Sequence, residues 1–130
     1  MITMRWSLTL QITGSPAVAV ASPPVEVEAI DRVEAVIAPG DSDKVLEIQP
    51  GASASVRLLL ITSSRYGSDL SFKVSDGATD SDPVTLDSPQ VFSGSAVTLF
   101  GVAPQQLKFS NTSADQPATV AIQVARDATP

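Results

Sequence analysis

The stretch that decides the fold is Ser55-Val56-Arg57-Leu58-Leu59-Leu60-Ile61-Thr62-Ser63. Pro50-Gly51 before it reads as a turn, and Ser64-Arg65-Tyr66-Gly67 after it reads as a loop. The space between those breaks is too short for a buried helix but fits one strand. Successive side chains of a strand point to opposite faces, so Val56, Leu58 and Leu60 share one face and Arg57, Leu59 and Ile61 the other. A strand wet on one side alternates apolar with polar residues, and here only Arg57 interrupts the apolar run. The pattern therefore predicts a central strand covered on both faces, the second cover being another layer or another subunit. On this count Val56, Leu58 and Leu60 belong to the domain's own core, and Leu59 and Ile61 to a contact surface.

The rest of the chain repeats the texture of short strands and turns. Residues 2–13 alternate, with Ile2, Met4, Trp6, Leu8, Leu10 and Ile12 against Thr3, Arg5, Ser7, Thr9, Gln11 and Thr13. The small-residue run Ala17–Ala21 before Ser22 could close a signal peptide. A signal core would be uniformly apolar, however, so the period of two argues for a long amphipathic strand. Gly14-Ser15-Pro16 marks a turn and Pro23-Pro24 a rigid break, with a short strand or an extended arm between them. Residues 25–38 fit either a helical stripe or strands, and β-branched density favours strands. Val45–Gln49, Leu70–Ser75, Val84–Leu86, Gln90–Phe92, Ala96–Phe100, the segment around Leu107 and Phe109, and Val120–Val124 read as further strands, with Asp- and Gly-rich turns between.

At 130 residues the chain makes a single domain, long enough to bury about two-thirds of its unfolded surface. About ten short strands predict an all-β antiparallel β-sandwich of jelly-roll type over 1–130, with 1–24 an N-terminal strand or arm. The net charge of −6 argues against attraction to nucleic acid phosphates, and the eight cations are scattered. No apolar run reaches the length of a membrane-spanning helix.

Composition also narrows the chemistry. The chain has no His and no Cys, so neither a Ser-His-Asp nor a Cys-His nucleophile system can be built. The usual nitrogen and sulfur ligands of zinc are missing with them. Its seven glycines stand singly, without a phosphate-binding loop. The acidic run Asp76-Gly77-Ala78-Thr79-Asp80-Ser81-Asp82 could offer carboxylates to calcium, but lacks the EF-hand spacing, and Asp is a favoured turn former. Glu26, Glu28, Glu34 and Glu47 could include a glycosidase pair, though carboxylates on the polar face of a strand are ordinarily solvated. Of the aromatics, Trp6, Phe72 and Phe109 fall on apolar sides, and Tyr66 sits in a loop where it can meet a partner. Asn111-Thr112-Ser113 matches a glycosylation acceptor.

From about Val45 onward the chain resembles small virion proteins of tailed bacteriophages. The residues that carry this are Leu46–Gly51, Leu58–Gly67, Thr85–Pro89, Leu107–Asn111 and Val120–Asp127. The resemblance implies a β-sandwich that decorates a capsid or belongs to a tail, as a homo-oligomer and without catalytic residues. A structural virion protein without enzymatic activity, cofactor or metal is therefore expected, with a trimer as the first guess. Its partners would be itself and the major capsid or tail protein. Trp6, Leu59, Ile61 and Tyr66 are the candidate interface residues. The alternative is a sugar- or receptor-binding module of a phage tail or bacterial surface.

Overall fold

The computed structural model describes residues 2–48 and 55–127; the expected Pro50-Gly51 turn and Gln49 lie outside the described residues. Among the described residues twelve strands run in chain order: β1 Ile2–Met4, β2 Ser7–Leu10, β3 Val18–Ala21, β4 Val25–Val27, β5 Ala29–Ile37, β6 Lys44–Glu47, β7 Val56–Ser63, β8 Leu70–Ser75, β9 Val84–Thr85, β10 Gln90–Ser93, β11 Gln106–Asn111 and β12 Ala118–Arg126. The segment 25–38 holds two strands, β4 and β5, as its β-branched content favours.

β5 to β12 form two four-stranded antiparallel sheets, one ordered β10-β7-β12-β5 and the other β6-β11-β8-β9. The pairing is nested: β8 with β9, then β7 with β10, β6 with β11 and β5 with β12. Successive levels of this long folded hairpin fall alternately into one sheet and the other. The pairs β12–β7 and β11–β8 then join the levels within each sheet. That is jelly-roll topology, and the expected all-β sandwich is the fold.

Between the sheets lies one core. Ile37, Leu59, Ile61, Leu70, Phe72, Val74, Leu107, Phe109, Val120, Ile122 and Val124 are all fully buried there. The alternation in β8, β11 and β12 generates this directly, because inward residues two apart meet the facing sheet. β7 is central in its sheet and covered on both faces over part of its length, but the faces are the reverse of the expected ones. Leu59 and Ile61 are 0% exposed inside the core, whereas Leu58 and Leu60 turn outward. They are core residues, which corrects their assignment to an interface.

The physical cause is a β-bulge. Ala125 faces Leu58 but Arg126 faces Val56, so Arg57 is an extra residue with no opposite number. Arg57 and Leu58 both leave the core side, which puts Val56 on the same face as Leu59 and Ile61. One inserted residue thus inverts a period-two count. Arg57 closes the bulge through Asp127, at 2.8 Å.

A second correction concerns Ala96–Phe100, expected as a strand. Gly94–Phe100 is a 3-10 helix, bracketed by Gly94 at φ 61° and Gly101 at φ 73°. Three residues per turn place Val97 and Phe100 on one side. Val97 is buried, and the Phe100 ring packs 4.7 Å from Phe92 and 6.4 Å edge-on from Phe72. Leu99, which a strand would place on the same side as Val97, is 81% exposed.

Candidate functional site

Residues 2–27 lie outside the two sheets of the roll as one long hairpin. β1 pairs with β4, Ile2 facing Val27 and Met4 facing Val25. β2 pairs with β3, Ser7 facing Ala21 and Leu10 facing Val18, with the Gly14-Ser15-Pro16 turn at the tip. Gly14 supplies the positive φ of 81° that this turn uses. Between the two ladders one strand carries Arg5 and Trp6 and the other carries Ser22, Pro23 and Pro24. Neither proline can donate to a ladder, so pairing lapses at this point.

Trp6 anchors the break. Its backbone N–H donates to Ser22 Oγ at 2.9 Å, and its carbonyl accepts from the Ser22 N–H at 2.8 Å. The indole Nε1–H donates to Ser93 Oγ on β10 at 3.1 Å. Below the break, Met4, Trp6, Val25 and Val27 pack on Leu58 and Ala125, on the outside of the β10-β7-β12-β5 sheet. This hairpin base is the layer that covers the second face of β7. The cover stops short of Leu60.

Beyond the break every residue from Ser7 to Ala21 is exposed. Residues directly opposite in an antiparallel pair share a face, so Leu8 with Val20 and Leu10 with Val18 line one side of the arm. Ser7, Thr9, Ala19 and Ala21 line the other. The apolar side is left to solvent: Leu8, Leu10 and Ile12 are each 50% exposed, Val18 45% and Val20 46%.

At the root of the arm this side opens into a groove of about 350 Å3, with Trp6, Ser7 and Leu8 on one wall and Leu58, Leu60, Val91 and Ser93 on the other. Val91 faces Leu60 across β10 and β7 and is itself 49% exposed. No charged residue occurs from Trp6 to Val25, and none lines the groove. The opposite side of the roll differs. Its β6-β11-β8-β9 sheet carries Lys73 paired with Asp43 at 3.4 Å, Lys108 with Asp80 at 3.0 Å, and Gln106 donating to Glu47 at 2.7 Å.

Of the four candidate interface residues, only Trp6 belongs to this surface, as a half-buried anchor. Tyr66 lies elsewhere, packed against the core with its hydroxyl accepting the Ser63 N–H at 3.0 Å. Leu8 and Leu10 were legible as strand, and Val18 and Val20 as a short strand or an extended arm, but their union was not. The signal was present in two alternating runs around Gly14-Ser15-Pro16, free of charge on both sides.

The other motifs resolve into structure. In the acidic loop, Asp76 Oδ1 accepts the N–H groups of Thr79 at 2.6 Å and Ala78 at 2.9 Å. Those backbone hydrogen bonds hold its carboxyl below the ordinary value. Asp80 is lowered likewise, first by the Ser75 hydroxyl and then by Lys108. Among the described residues no three carboxylates gather as a metal site. Asn111 is fully buried. Its Nδ2 donates to the carbonyls of Ile37 at 3.2 Å and Gln116 at 2.7 Å, and its Oδ1 accepts from Arg65 Nη2 and the Ser113 N–H, each at 3.1 Å. Arg65 also grips Asp69 and the carbonyls of Gln116 and Pro117. This cluster pins two loops to the roll, and a glycan cannot reach Asn111 in the folded chain.

No protein-family model, curated protein or solved structure matches this chain.

Proposed function

We propose that the chain is a structural virion protein of a tailed bacteriophage, a decoration or cement protein that acts through contacts with copies of itself and with the shell. One observation carries the reading: an apolar, uncharged arm held out from a closed sandwich, with nothing among the described residues to cover it. Exposed apolar patches of this kind mark interaction surfaces in soluble proteins. A cement protein works through such contact area and has no use for an acid, base or nucleophile. The absence of His and Cys and the resemblance of the strand-and-turn pattern to small phage virion proteins support the same reading.

The sugar- or receptor-binding alternative gains nothing from the aromatics. All six (one Trp, one Tyr and four Phe) are buried or half-buried, so no exposed stacking row exists. The test is association with particles. Purified protein added to shells that lack it should sediment with them to a fixed copy number and raise their melting temperature. Failure to bind shells, together with binding to an oligosaccharide array, would overturn the proposal in favour of the alternative.

A further inference from the structure

We propose that the arm Ser7–Ala21 docks its apolar side into the Trp6–Leu58–Leu60–Val91 groove of a second copy, so that two copies exchange arms reciprocally. This rests on the assembly reading above and names the partner and the contact.

Three observations select a second copy as the occupant. The first is charge. In a chain of net charge −6, two copies repel unless the surfaces that meet are neutral. Arm and groove are both free of charged side chains, whereas the rest of the β10-β7-β12-β5 sheet carries Arg32–Glu34 and the opposite sheet carries Lys73–Asp43 and Lys108–Asp80.

The second is shape and chemistry. The groove is bounded by the Trp6 indole, four aliphatic side chains and two serines and opens at the arm's root, and the arm offers aliphatic side chains on a narrow two-stranded blade. Every copy therefore carries both halves of the contact, as a self-complementary two-fold interface requires.

The third is area. Five half-exposed aliphatic side chains amount to roughly 400 Å2, the size of the largest apolar patch a monomer leaves bare and one that is often functional. Reciprocal exchange covers two arms and two smaller receiving grooves, on the order of 1,000 Å2 in total, about the least that a specific interface buries. A head-to-tail ring such as the trimer first expected would give each contact only half of that, roughly 500 Å2, in the range of crystal packing. Area thus favours the pair. The bare strand edges of the arm point the same way, since solvent-facing edges ordinarily carry a lysine or glutamate as protection, and β2 and β3 carry neither.

The test uses the full chain and its lack of cysteine. Sedimentation velocity of the wild type should show a dimer. Leu10→Asp, on the exposed arm, and Val91→Arg, in the groove, should each shift it to monomer by at least tenfold in dissociation constant, with the circular dichroism spectrum unchanged. Mixed together, the two variants should recover a heterodimer, because the Asp-bearing arm then meets the Arg-bearing groove. Should either substitution disturb folding, Leu10→Cys and Val91→Cys replace them. Under oxidation their mixture should give a cross-linked heterodimer in excess of either homodimer.

A wild type that stays monomeric overturns the proposal. So does an oligomer indifferent to both substitutions, or arm-to-arm cross-linking by Leu10→Cys alone. Binding of the monomer to lipid vesicles with loss in Leu10→Asp would assign the arm to a membrane instead. The two readings separate cleanly: a monomer that still decorates shells refutes arm exchange alone, and an arm-exchanged dimer that ignores shells refutes the virion role alone.

Discussion

Leu59 and Leu60 are adjacent, chemically identical and on opposite faces of β7, so truncating each to Ala measures which face is the core. Leu59 is 0% exposed, between Phe92 of β10 and Val124 of β12. Its truncation removes three carbons from a closed interior, about 2.4 kcal/mol at ~0.8 kcal/mol for each. The residual cavity adds about 1 kcal/mol, for a total of about 3.5 kcal/mol. Leu60 lines an open groove, which water re-enters when the side chain is shortened, so about 1 kcal/mol is lost there. For a domain of this length each kcal/mol moves the melting temperature by about 3–4 °C. Leu59→Ala should therefore melt about 12 °C below wild type and Leu60→Ala about 3–4 °C below. Thermal unfolding followed by circular dichroism reads this directly, at a concentration low enough that association adds nothing. An equal loss in both, or a larger one in Leu60→Ala, would refute the bulge at Arg57 as the feature that sets the faces.

Three further outcomes follow from the same structure. Asn111→Ala leaves the Ile37 carbonyl and the Arg65 guanidinium short of a buried partner and should cost about 2–3 kcal/mol in chemical denaturation; wild-type-like stability would show the cluster to be incidental. The Asp76 and Asp80 carboxyls are lowered in the folded state from 3.8, so their contribution is present above that value and is lost as pH falls through their folded-state values. Asp80→Asn should then flatten the acid limb of a melting-temperature profile below about pH 4, while EDTA at neutral pH should leave the midpoint unmoved. Deleting residues 1–24 removes the arm and most of the hairpin base but no strand of the roll; a two-dimensional NMR spectrum should stay dispersed, and collapse of that dispersion would show the roll to depend on its cover.

Much of the architecture was fixed by local pattern. The alternation of Leu70, Phe72 and Val74, and of Val120, Ile122 and Val124, assigned those side chains to the core without any knowledge of strand order, because pleat geometry depends only on neighbours in sequence. The lack of His and Cys narrowed the chemistry in the same way, since a residue type that is missing cannot be supplied by folding. Single-domain size and strand-rich class followed from composition and turn spacing.

Three things were decided only in three dimensions. The parity of β7 turned on a bulge, which arises where Arg57 is squeezed out of register with β12, so it depends on a partner some seventy residues away. The segment Gly94–Phe100 became a 3-10 turn because Phe72 and Phe92 offered its Phe100 a place at a spacing of three rather than two. And the arm emerged only once β2 paired with β3 and β1 with β4. A strand's own sequence shows which of its faces is apolar, but whether that face is covered depends on what the rest of the chain brings to it. Here the described residues cover the lower half of the hairpin and leave the upper half bare.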